Sequence, residues 1–110
     1  MRTSSERNGT VPIACNLDAL TPEQRARASV LRARLRQTAT EVREMTDGWA
    51  FRFEADTPTL AELAEFIALE RLCCPFFAFR LEVPNEGGAV RLELTGRPGV
   101  KEFIEAELGL

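Results

Sequence analysis

Histidine is absent from this chain of 110 residues. That gap removes Ser–His and Cys–His catalytic dyads and every imidazole metal ligand. No apolar run approaches the roughly 18 residues that a membrane-spanning helix needs. The polar start MRTSSERNGT lacks the apolar segment of a secretory signal, and its NGT triplet carries no glycosylation meaning without secretion. Positive charge is not in excess: the net charge is −3 and the isoelectric point about 5.1. Neither nucleic acid nor a membrane is therefore expected as a partner. No glycine-rich phosphate loop follows an expected strand (GRPGVK lacks the pattern), so no nucleotide cofactor is expected. There is no C-x-x-C pair, and three cysteines cannot close a complete set of internal disulfides. Without a signal segment, the expected location is cytoplasmic and the thiols reduced.

What is present suits one globular domain. Apolar residues make up 45% and charged residues 28%, and the length is enough to bury a core without covalent staples. Residues 1–10 read as a disordered lead-in and 11–110 as a single α+β domain. VPIACNL (11–17) alternates, with Val11, Ile13, Cys15 and Leu17 on one face, and predicts a short strand at an edge. LTPEQ supplies a helix start with Thr21 as cap and Gln24 completing a capping box. Ala28, Leu31, Leu35, Ala39 and Val42 recur at helical spacing and carry this helix to about Met45, where TDG breaks it. WAFRFEA (49–55) alternates as a half-buried strand. DTPT opens a second helix, capped by Thr57 or Thr59, that ends near Leu72 or Cys74 because Pro75 disfavours helical geometry at the residue before it. FFAFRLEV and AVRLEL form a hairpin around PNEGG. RPGVKEFIEAEL closes with a helix directing Val100, Phe103 and Ile104 inward. The expected architecture is a two-layer α+β sandwich of about four strands and three helices, in the order β-α-β-α-β-β-α.

The second helix holds the most informative pattern. At about 100° per residue, Leu60, Leu63, Ala64, Phe66 and Ile67 define an apolar arc, with Glu62 and Glu65 opposite. Glu70 falls within that arc, Cys74 lies one turn beyond it and Cys73 at its flank. Charged residues are rarely buried unless paired or ligating, so an inward Glu70 calls for a partner. One reading pairs it with Arg71, Arg52 or Arg80. The other makes it a ligand or proton carrier beside the thiols. Cys15 also points inward on its strand, although a buried free cysteine often acts as a small hydrophobe.

A disulfide between Cys73 and Cys74 is disfavoured, because neighbouring Cα atoms about 3.8 Å apart lie below the usual range of about 4.4–6.8 Å. A reactive thiolate is poorly supported, since a helix C-terminus raises thiol pKa values. A thiophilic ion escapes that difficulty because it deprotonates its own ligands. The leading expectation is a site for zinc, mercury or arsenic formed by Cys15, Cys73 and Cys74, with Glu70 as adjacent carboxylate and Arg71 and Arg52 in support. It requires the helix end to unwind at Pro75, so that adjacent cysteines can serve one ion. Two alternatives stay open. One is an enzyme using Cys73, Cys74 and Glu70 in redox or metal–carbon chemistry. The other is an oligomeric (homodimeric) or partner-binding module with structural cysteines. Arg25, Arg32, Arg36 and Arg43 flank the first helical stripe; an anion or RNA strip is one reading, stems laid over the core the other. The phenylalanines of CCPFFAF and WAFRF read as core.

The segments IACNL, ALERLCCPFFAFRLEV and LTGRPGVKEF resemble a group of small bacterial proteins that share an E-R-x-C-C-P-F motif and a lone upstream cysteine. The resemblance runs from about residue 12 to 107. It implies that Cys15, Glu70, Arg71, Cys73, Cys74, Pro75 and Phe76 belong together as a set and that the chain is bacterial. The group carries no established activity, so no mechanism comes with it.

Overall fold

The computed structural model describes residues 11–110; the expected lead-in of residues 1–10 lies outside them. A short 3₁₀ turn, Leu17–Ala19, precedes helix α1 (Pro22–Thr38), strands β1 (Glu41–Met45) and β2 (Gly48–Phe53), helix α2 (Thr57–Cys73), strands β3 (Ala78–Glu82) and β4 (Val90–Thr95), and helix α3 (Val100–Leu108). The α+β class and the count of four strands and three helices are as expected. Two placements differ, so that the chain runs α-β-β-α-β-β-α.

Residues 11–17 are not a strand. Pro12 has no N–H to give a ladder, and the segment is tied instead to the end of α2, where the Asn16 N–H donates to the Cys73 carbonyl at 2.8 Å. Glu41–Met45, where helical spacing predicts the end of the first helix, is instead an edge strand. Val42 continues the spacing of Leu35 and Ala39 and so extended an apparent helical stripe past its end. In the fold, α1 stops at Thr38, Ala39 turns to extended geometry (φ −61°, ψ 127°), and the Thr40 N–H donates to the Arg52 carbonyl at 2.7 Å. Thr46-Asp47 is the two-residue turn of a β1–β2 hairpin, with Met45 opposite Gly48.

The sheet is antiparallel throughout, in order β1-β2-β4-β3. Trp49, Phe51 and Phe53 lie opposite Leu94, Leu92 and Val90, and Phe79 and Leu81 extend the same face from β3. Phe51, Phe53, Val90, Leu92 and Leu94 have 1% exposure or less. Against them pack Leu31 and Leu35 of α1, Leu63 and Phe66 of α2, and Val100 and Ile104 of α3. Gly48 is required by close approach: a Cβ there would lie 1.9 Å from the Leu94 carbonyl oxygen. The other sheet face carries Glu41, Arg43, Arg52, Arg80, Glu82, Arg91 and Glu93, as the alternation of β-strands dictates.

Thr21 and Gln24 form the expected capping box, with bonds of 3.1 and 2.9 Å. The cap of α2 is neither expected threonine but Asp56, whose carboxylate accepts from the Thr59 N–H at 2.9 Å. Helices α1 and α2 are laced along their rim by Arg27 on Glu65 (2.8 and 2.9 Å) and Arg34 on Glu62 (3.0 Å). Glu62 and Glu65 therefore lie on the flank of α2 that faces α1, not opposite the apolar arc as expected, and Ala64, expected within the arc, is exposed. The wheel fixes directions on one helix but not where its neighbour packs. No described helix is long and apolar enough to cross a membrane.

A candidate metal or metalloid centre of three thiols

The site forms where α2 ends. Its last turn closes with the Cys74 N–H donating to the Glu70 carbonyl at 2.7 Å. Cys74 itself leaves helical geometry, at φ −127° and ψ 68°. Pro75 accounts for this, because its ring crowds an α-helical residue ahead of it. In a continuing helix neighbouring side chains diverge by about 100°. The break at Cys74 instead brings the Cys73 and Cys74 Sγ atoms to 3.8 Å. The Asn16–Cys73 backbone bond holds the incoming segment against this break, and Cys15 Sγ reaches Cys74 Sγ at 3.5 Å.

All three sulfurs lie within 4.8 Å of one another and are free thiols, two of them buried. One ion bonded to three sulfurs at about 2.3 Å sets them about 3.4–4.0 Å apart, as the S–ion–S angle opens from about 95° to 120°. Two of the three edges, 3.5 and 3.8 Å, fall in that span. The cluster therefore has the spacing to hold a metal or metalloid ion.

Glu70 is 1% exposed. Its Oε1 accepts from the Cys74 S–H at 3.5 Å, and its Oε2 lies 3.5 Å from Arg32 Nε. That contact is an ion pair without hydrogen-bond geometry: Glu70 Oε2 and Arg32 Nε are both buried and have no hydrogen-bond partner. The cation of Glu70 is thus Arg32 of α1. Arg71 is exposed on the outer side of α2, Arg80 is exposed on β3, and Arg52 is exposed and 3.7 Å from Glu41. Neither Arg71 nor Arg52 stands beside Glu70 as expected: a residue next to Glu70 on a helix points about 100° away from it, and strand alternation puts Arg52 on the outer face of the sheet, beside Glu41. Glu107 of α3 completes the cluster. It accepts from the Cys15 S–H at 3.5 Å and lies 3.9 Å from Arg32 Nε.

Burial dominates the titration of the site. It pushes Cys15 up to about 11, with Glu107 adding in the same direction and contact with Cys74 opposing. Cys74 is raised by burial and then by the Glu70 charge. Cys73 is also raised, first by burial and then by Glu70. Glu70 is raised by its own burial against the opposing pull of Arg32. In the ion-free protein at neutral pH the thiols are therefore protonated, a poor state for a nucleophile.

Arg32 and Glu107 were not in the sequence-derived site. Arg32 is one turn after Ala28 and next to Leu31, at the margin of the α1 stripe. Glu107 is one turn after Phe103, beside the Val100–Ile104–Leu108 stripe. Both positions signal a charge at the edge of a core, but neither names its partner. The arginine strip of the first helix dissolves in the fold. Arg32 turns to Glu70, Arg36 donates to the Leu108 carbonyl at 2.8 Å, and Arg43 sits on β1 bonded to Glu41 at 2.8 Å. A groove of about 280 Å³ on the outer sheet face is lined by Glu41, Arg43, Arg52, Glu82 and Arg91. It lies on the sheet face opposite the core and has no thiol in its lining.

No known protein family, curated protein or solved structure matches the chain.

Proposed function

We propose that this protein binds a thiophilic metal or metalloid ion through the thiolates of Cys15, Cys73 and Cys74. The observation that carries the reading is the meeting of three sulfurs from two segments far apart in the chain, Cys15 with Cys74 at 3.5 Å and Cys74 with Cys73 at 3.8 Å. The break that Pro75 makes at the end of α2 sets the adjacent cysteines side by side, where Cys15 meets them. Glu70 and Glu107 accept hydrogen bonds from the Cys74 and Cys15 thiols at 3.5 Å and so fix the direction of both side chains. Thiols raised by burial argue against a poised nucleophile and are compatible with metallation, because a bound ion lowers the pKa of its own ligands.

Native mass spectrometry of the reduced full chain with zinc, mercury(II) and arsenite tests this. The expected result is a one-to-one adduct with at least one of them that consumes all three thiols. Absence of any stoichiometric adduct, or an affinity unchanged by Cys15→Ser, would overturn the reading.

A further inference from the structure

We propose that the ion this site selects is a trivalent metalloid presented as its neutral hydroxide, arsenite or the antimony counterpart, in preference to a divalent metal. The inference rests on the three-thiol reading above and adds the charge of the ligand to it.

The argument is a count of charges in a buried place. Three thiolates on a divalent ion make a complex of charge −1, and a carboxylate as fourth ligand makes it −2. Three thiolates on a trivalent ion make a neutral complex. Two of the three cysteines and Glu70 are 1% exposed or less, so a net charge left here loses most of its hydration. The surroundings do not compensate an anion. Among the described residues, the charged groups in contact with the thiols are Glu70 and Glu107, and both share the single cation Arg32, at 3.5 and 3.9 Å. An anionic complex would meet two acids and a guanidinium already engaged by them. A neutral one leaves that balance untouched.

The exchange conserves atoms and charge without an outside reactant: As(OH)₃ + 3 Cys–SH → As(S–Cys)₃ + 3 H₂O. Each As–O bond is replaced by an As–S bond, each thiol proton leaves on a displaced hydroxide as water, and no electrons are transferred. A trivalent metalloid keeps a lone pair, so its three bonds are pyramidal and need no fourth ligand. At about 95° and a bond of about 2.3 Å the sulfurs stand about 3.4 Å apart; the 3.5 Å between Cys15 and Cys74 is close to that, and the 3.8 Å between Cys73 and Cys74 would close by about 0.4 Å. A groove of about 240 Å³, lined by Ser29, Arg32, Ala33, Arg36, Glu107 and Leu108, opens to solvent beside the Arg32–Glu107 pair.

The test compares sodium arsenite with cadmium chloride on the full reduced chain, wild type and Glu107→Gln. The Glu107 side chain is 30% exposed, so the exchange leaves the core intact. In the wild type, arsenite is expected to consume three thiols per chain and to bind at least tenfold more tightly than cadmium. Glu107→Gln is expected to tighten cadmium binding at least tenfold and to leave arsenite within twofold. Cadmium binding weakened by Glu107→Gln would make that carboxylate a ligand and overturn the proposal. So would equal shifts for both ions, or a wild type that takes cadmium on three thiols and refuses arsenite. In the last case the three-thiol reading stands while the metalloid preference fails. If neither ion engages three thiols, both fall.

Discussion

Glu70→Gln isolates the cost of placing an acid inside this core. Glu70 is 1% exposed, yet its Arg32 partner approaches Oε2 at 3.5 Å without a hydrogen bond. A unit-charge pair at that separation is worth about 5 kcal/mol at an effective dielectric constant of about 20. Withdrawing the two ions from water costs several kcal/mol each. Burial prevails, because the Glu70 carboxyl is held above the ordinary carboxylate range. The native state therefore keeps the Glu70 proton to higher pH than the unfolded chain does. The stability of the protonated form is fully present below the unfolded pKa of about 4.3 and is lost as pH rises through the higher folded value. Glutamine matches the protonated acid in size and keeps an oxygen for the Cys74 S–H. Wild type and Glu70→Gln should be equally stable near pH 4. The variant should pull ahead as pH rises and then level off, about 1–2 kcal/mol more stable by pH 8. For a domain of this size each kcal/mol moves Tm by about 4–8 °C. Urea denaturation of both proteins at intervals from pH 4 to pH 8, under a phosphine reductant, reads the difference directly. A variant less stable than wild type at pH 8, or a gap that does not change with pH, would refute the account of Glu70 as a buried acid held against its preference.

Three other outcomes follow from the same geometry. Cys15 ionises near 11, so its alkylation by iodoacetamide should accelerate about tenfold per pH unit from pH 7 to 10; a plateau below pH 9 would contradict the thiol environment. Saturating ion at about 1,000 times Kd should stabilise the wild type by about 4 kcal/mol. Differential scanning calorimetry should find most of that gain missing in Cys15→Ser, and a full gain would mean that Cys15 does not ligate. Gly48→Ala would press a methyl group to 1.9 Å from the Leu94 carbonyl, between β2 and β4. Its cost should exceed the about 1–3 kcal/mol of ordinary overpacking, and an unchanged urea midpoint would show the contact to be wrong.

Local patterns were legible wherever the nearest neighbours in sequence decide the outcome. The Thr21–Gln24 capping box depends on four consecutive residues, and it forms. The alternation of Trp49, Phe51 and Phe53 and of Val90, Leu92 and Leu94 set the inward sheet face. The wheel of α2 placed Glu70 in the interior, and Pro75 forecast the break at Cys74. The pattern misled at Glu41–Met45, where Val42 satisfies a helical spacing as well as a strand. It misled again at residues 11–17, where alternation exists without a strand to pair with. In both places the competing structures differ by contacts with residues far along the chain.

Chemistry at the site divides along the same line. The sequence by itself determined that no imidazole can take part, that Cys73 and Cys74 end a helix, and that an acid stands one turn before them facing the core. Only the tertiary structure decided that Cys15 reaches them, that Arg32 rather than Arg71, Arg52 or Arg80 faces Glu70, and that Glu107 arrives from α3. The reason is physical. A helix fixes the direction of each side chain relative to its own axis, so it can say which residues turn inward. What they meet there depends on how α1, α3 and the incoming segment pack across the end of α2, and that packing is set by the apolar face of the sheet rather than by the charged residues it brings together.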